Sequence, residues 1–149
     1  MEPFVDVAFP ALGSDLPLDH AYALFAALSR LVPGVHKRTS WGVHPVRGVR
    51  SDRDRLALDR QSFVKLRIPV EDVKHVLSLA GAKLDVDGHV VNLGVPRLFP
   101  LVPAASLKAR IVTVKGHSES EAALLDSCKR KLAHIELGQD PERIEVRIG

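Results

Sequence analysis

Between Phe4 and Val32 the apolar residues change period, and that change constrains the fold more than any other feature of the chain. Phe4 to Phe9 (FVDVAF) alternates, the two-residue period of a half-buried strand. Gly13, Ser14 and Asp15 break the pattern. Ala21, Leu24, Phe25, Leu28, Leu31 and Val32 then recur at steps of three and four, one face of a helix. The spacing predicts a helix from about Asp19 to Leu31. Asp19 is the expected N-cap, because its carboxylate can accept amide protons of the first turn. Pro33-Gly34 ends the helix.

The same alternation of periods continues. Trp41 to Val49 (WGVHPVRGV) reads as a second strand, with Pro45 suggesting an edge or a bulge. Arg50 to Arg60 is polar and reads as a loop or hairpin arm. Ser62 to Ile68 (SFVKLRI) alternates clearly, with Phe63, Lys65 and Arg67 on one face and Val64, Leu66 and Ile68 on the other. Pro69 suits the first turn of a helix that runs to Ala80 and buries Val73, Val76, Leu77 and Ala80; Gly81 stops it. Lys83 to Val86 and His89 to Leu93 flank Asp87-Gly88, a tight-turn pair. Residues 1–97 therefore read β-α-β-β-α-β, an α+β unit of ferredoxin-like (RRM-like) build.

Pro96, Pro100 and Pro103 form a stiff connection. Residues 98–149 then begin a partial second unit of the same kind. Ser106 to Val114 is its first strand, and Ser118 with Glu121 is a capping box opening a helix. That helix would bury Ala122, Leu125, Cys128 and Leu132. Arg143 to Ile148 is its last strand. Three elements cover a sheet poorly, so this unit is expected to dock on the first or to be completed by another segment or a partner.

Composition narrows the class. The 149 residues are 46% hydrophobic and 26% charged, as in a folded globular protein. No apolar run approaches the roughly 20 residues that cross a bilayer. Neither a signal peptide nor a second cysteine beside Cys128 is present, and the expected setting is a reducing cytoplasm. The net charge is only +3, yet Arg30 to Arg67 holds ten Lys and Arg against three Asp. Such a basic stretch suits a polyanion, although a merely solvated face would look the same.

The segments VDVAFPALGSDLPLDHAYALFAALSRLVP, WGVHPVRG and LSLAGAKLDVDGHVVNLGVPRLFPLVPAASLKARIVTVKG resemble CRISPR-associated repeat-processing endoribonucleases of the RAMP superfamily, and among them the MYXAN subtype. The resemblance implies two tandem ferredoxin-like domains and a basic face that holds CRISPR repeat RNA. It implies cleavage without a metal or other cofactor, leaving a 2′,3′-cyclic phosphate and a 5′-hydroxyl. As further partners it implies other CRISPR-associated subunits, with a homodimer left open. Such families end in a half-domain with a glycine-rich loop. Nothing like it precedes Gly149, so a truncated or split form is expected.

Cleavage by internal transesterification needs a base for the 2′-OH, a cation for the phosphorane and an acid for the leaving 5′ oxygen. Histidine serves as base or acid near neutrality, and Arg or Lys stabilises the charge. His20, at the start of the first helix, is the first candidate, with Tyr22 to orient substrate or assist proton transfer. A helix cap and a packed ring are the plainer roles for these two. His44, on a strand beside Arg47, is the rival; the other role for its ring is to fill a gap by Trp41 and Pro45. His36, in the preceding loop, is third. Lys37, Arg38, Arg47, Arg50, Lys108, Arg110 and Lys115 are the expected RNA contacts, holding phosphates rather than reading bases.

Aromatic pairs typical of an RRM sheet are missing from the sequence pattern, which favours a structured hairpin held by charge and shape over stacked single strands. No zinc spacing, calcium loop or phosphate-binding Walker sequence is present. Two other functions remain compatible with the sequence: a non-catalytic RNA-binding subunit or scaffold, and a small-molecule-binding domain.

Overall fold

The computed structural model describes residues 3–104, 106 and 120–133. The chain divides into two units, Met1–Pro103 and Ala104–Gly149. In the first, β1 (Phe4–Leu12) is the central strand. Val5, Val7, Phe9 and Ala11 point into the core and are almost fully buried, as the alternation requires. On one side β1 pairs antiparallel with β6 (Phe63–Pro69), which in turn pairs with the short edge strand β3 (Gly42–His44). On its other side β1 pairs with β8 (His89–Leu93) through Ala11 and Leu12, and β8 carries β7 (Lys83–Val86). The order β3-β6-β1-β8-β7, all antiparallel, is that of a ferredoxin-like α+β sheet.

The helix α1 (Ala21–Leu31) lays Leu24, Ala27 and Leu28 onto this core. Its end is tied to the β7–β8 hairpin, where the Arg30 guanidinium donates to the Asp85 carbonyl at 2.8 Å. The turn between β7 and β8 places Asp87 at φ +53° and Gly88 at φ +83°, the left-handed pair expected of Asp-Gly.

Several elements differ from the sequence reading. Asp19 does not cap α1: it is exposed, and the cap position is taken by His20, whose ring turns inward. The second strand is not continuous. It splits at Pro45-Val46-Arg47-Gly48 into β3 and β4 (Val49–Arg50). β4 joins β5 (Arg55–Ala57) and β2 (Asp15–Pro17) in a separate three-stranded sheet. The expected helix from Pro69 to Ala80 is a 3-10 turn (Val70–Asp72), a four-residue α2 (Val73–Val76) and another 3-10 turn (Leu77–Leu79). The β-branched Val70, Val73 and Val76 weaken helix propensity, and the Asp72 side chain is drawn into tertiary contacts.

Residues 97–100 are not only a connection. They form β9 (Arg97–Pro100), which pairs with β1 from Val5 to Ala8. In the second unit, α3 (Glu121–Ala133) is capped by Ser120, whose hydroxyl accepts the Ala123 N–H at 3.2 Å, rather than opening at Ser118. Leu125 and Cys128 are half-buried there, whereas Ala122 is exposed. The strands expected at Ser106 to Val114 and Arg143 to Ile148 lie outside the described residues. No helix among the described residues is long and apolar enough to cross a membrane.

Candidate nucleic-acid interface

Directly paired residues of antiparallel strands share a face. The registers therefore lay two rows of side chains across the face of the sheet away from the core. One row is His44, Lys65, Ala8, Arg97; the next is Gly42, Arg67, Asp6, Phe99. Four strands far apart in sequence thus set a histidine, three cations and an aromatic ring on one surface.

Asp6 organises this face from beneath. Only 7% exposed, it accepts two hydrogen bonds from Arg67, at 2.8 Å from Nε and 3.0 Å from the terminal nitrogen. The fork-to-carboxylate geometry is the strong form of this pair. Arg67 holds the Asp6 carboxyl below its usual range by hydrogen bonding; burial opposes that effect, and the charges of Arg67, His44 and Lys65 add to it.

The His44 ring lies 3.9 Å from the Asp6 carboxylate, through Nε2, and its side chain is 39% exposed. Burial lowers its pKa below the ordinary 6.5; Asp6 pulls it up, while Arg67, Lys65 and Arg47 push it further down. A neutral imidazole ringed by cations at neutral pH can accept a proton beside a bound phosphate.

The WGVHPVRG segment is held at both ends. Upstream, Trp41 donates its indole N–H to Asp72 at 2.7 Å, and Arg38 donates to the same carboxylate at 2.7 Å while stacking 4.8 Å above the Trp41 ring. Downstream, His20 is clasped by backbone on both sides: Nδ1 donates to the Pro17 carbonyl at 2.8 Å, and Nε2 accepts the Val46 N–H at 2.9 Å. A carbonyl can only accept and an amide N–H only donate, so this tautomer is dictated by the partners. At 3% exposure His20 turns neither nitrogen to solvent.

The remaining candidates are dispersed. Tyr22 is 84% exposed on α1, so its ring does not pack on the sheet. His36 and Lys37 are exposed in a 3-10 turn (Val35–Lys37) and have no side-chain partner among the described residues. Arg38 is committed to Asp72. Arg47 is exposed and near enough to influence His44. Arg50 folds back onto the carbonyls of Asp52 and Arg53, bracing the β4–β5 turn. Lys108, Arg110 and Lys115 lie outside the described residues.

Asp6, Lys65, Arg67, Arg97 and Phe99 join the site through strand pairing rather than local pattern. The alternation of Ser62 to Ile68 puts Lys65 and Arg67 on one face, and the pairing with β1, β3 and β9 brings the others beside them. A second cluster joins β8 to the small sheet. His89 donates through Nδ1 to Asp15 at 2.6 Å, and Arg55 approaches the same carboxylate at 3.3 Å. His89 is the chief cause of the lowered Asp15 pKa. Among the described residues no group of His, Cys, Asp and Glu side chains gathers as it would around a metal ion.

The fold is an antiparallel ferredoxin-like sheet of the α+β class, with a histidine among cations on the face away from the core. Comparison with known proteins names the family. The Cas6 family model, described as Cas6 Crispr, matches residues 5–143, and the chain belongs to that family. A CRISPR-associated endonuclease Cas6 of Myxococcus xanthus (strain DK1622) is 46% identical over 129 residues. The match covers 87% of this chain and 55% of that relative, so the chain spans about half the relative's length.

Proposed function

We propose that this chain acts in CRISPR RNA maturation as a metal-independent endoribonuclease that cuts repeat RNA, with the open sheet face as its substrate surface. The observation that carries the reading is the placement of His44, a half-exposed imidazole whose pKa is lowered, among Lys65, Arg67 and Arg47. The similarity to a relative named as a CRISPR-associated endonuclease supports it.

In this reading the His44 imidazole takes the proton of the 2′-OH as that oxygen attacks the adjacent phosphorus. The bond from phosphorus to O5′ breaks, leaving a 2′,3′-cyclic phosphate, and a proton passes to O5′ to give the 5′-hydroxyl. Lys65 and Arg67 stabilise the charge that builds on the phosphorane oxygens. Among the candidates His36 and Tyr22 are open to solvent and supply that proton once the RNA is bound. His20 supports the reaction indirectly, by holding Val46 and with it the segment between His44 and Arg47.

The test is cleavage of a labelled cognate repeat RNA in excess EDTA. His44→Ala is expected to lose about 10²- to 10⁴-fold in rate, the range for a general base, with the repeat still bound. Full activity in His44→Ala together with loss in His36→Ala would move the base to His36. A gel shift without cleavage by the unaltered chain would instead indicate a binding module.

A further inference from the structure

We infer that Phe99 is a stacking platform for an unpaired base, so that the open sheet face binds a single-stranded stretch of RNA rather than only the outside of a duplex. The inference rests on the RNA-binding reading above, but not on cleavage.

Phe99 is a large aromatic 43% exposed on a strand, in the same row as Asp6 and Arg67. An aromatic ring left open at the end of a basic row has a reason to be there if a flat partner covers it. Its surroundings choose the partner. The Lys65 ammonium stands 5.9 Å from the ring centroid, at the outer limit of a cation–π contact, so little is lost when it turns to a phosphate. Arg97 lies two residues before Phe99 on the same face, and Arg67 lies across β1 from it.

A ring that accepts a base, with cations beside it at the reach of the phosphates, is the general design of a single-strand site. A closed duplex offers no free base face to such a ring. The sequence alone concealed this arrangement, because Phe99 sits in a proline-rich stretch whose pairing with β1 the local pattern does not announce. His44 lies in the neighbouring row but three strands away, on the opposite edge of the sheet, so the stacked base and the imidazole would meet different nucleotides of one strand.

The experiment uses the full 149-residue chain and fluorescence anisotropy with a short labelled single-stranded oligoribonucleotide and the blunt duplex of the same sequence. Phe99→Leu is expected to weaken single-strand binding about tenfold, within the range for loss of one stacked base, and to leave duplex binding unchanged. Phe99→Tyr is expected to keep wild-type affinity, and thermal unfolding of each variant separates lost stacking from lost structure. Lys65→Gln should reduce the salt slope of single-strand binding by about one. Unchanged single-strand affinity in Phe99→Leu, or equal losses on both RNAs, overturns the inference. Displacement of the RNA by polyglutamate at equal charge concentration does so too, since the face would then be a surface for anions at large. All these readouts are binding, so an inactive chain would sink the nuclease reading without touching this one.

Discussion

The Nε2 atom of His20 accepts the backbone N–H of Val46 at 2.9 Å, while its Nδ1 donates to the Pro17 carbonyl at 2.8 Å. One buried ring thereby joins the strand before α1 to the segment that carries His44 and Arg47. His20→Ala leaves the Val46 N–H and the Pro17 carbonyl without these partners and opens a cavity. The expected loss is about 2–4 kcal/mol of stability, seen as a fall in thermal midpoint. Cleavage by the fraction still folded should fall without being abolished, since the segment carrying His44 loses an anchor but keeps its imidazole. A midpoint unchanged by His20→Ala would refute the structural role given to this residue.

His44 sets the expected pH dependence. Its folded pKa lies below the ordinary 6.5, chiefly through burial. Between the folded value and about 6.5 the unfolded chain binds more protons, so stability rises with pH through that window and the gain is complete above it. As the base it must be unprotonated, so cleavage should fall on the acid side, with the break below pH 6.5. Arg67→Met removes a charge that lowers His44 and frees the Asp6 carboxylate that raises it. Histidine proton NMR should then show the His44 titration moved upward. A titration left in place would mean that Arg67 does not govern the ring.

Two carboxylates make the fold sensitive to acid. Asp6 is held low by Arg67, and Asp72 by the Trp41 indole N–H and then by Arg38. Depressed values contribute stability that is present above the unfolded value near 3.8 and is lost as pH falls through the folded value. Urea midpoints should therefore drop steeply below pH 4. In Asp72→Asn that drop should be shallower, and the neutral-pH midpoint lower than in wild type, since the ion pair with Arg38 is gone. Identical acid profiles for the two proteins would show that Asp72 is not a contributor.

Much of the first unit follows from local pattern. Alternation placed Val64, Leu66 and Ile68 inside and Lys65 and Arg67 outside, and Asp87-Gly88 supplied its turn. What escaped were features set by distant partners. β2, β4 and β5 are two or three residues long, too short to carry a period, and exist because they pair with one another. Trp41 meets Asp72 across 31 positions, and that contact helps interrupt the expected helix. At the site, the histidines were visible as a residue type but not in role. For His20 the sequence leaves open both chemistry and a helix cap; the structure puts it at the cap position, its ring engaged by two backbone groups that no spacing rule reveals.

Gly48 offers a last test, because it lies at the crossing from the main sheet to the small one. A Cβ built there would press on the Ala57 carbonyl oxygen and stand 3.1 Å from the Leu56 side chain. Backbone oxygen in a paired strand has little room to retreat, and Leu56 is buried. Gly48→Ala should therefore part β4 from β5, at a cost of about 1–3 kcal/mol for overpacking. The disturbance should reach Arg47 and His44, next along the chain. Hydrogen exchange should quicken at Val49 and Arg50, and RNA cleavage should fall with it. Exchange that stays slow, with a wild-type thermal midpoint, would show that the strand yields freely and that the close approach of Gly48 is incidental.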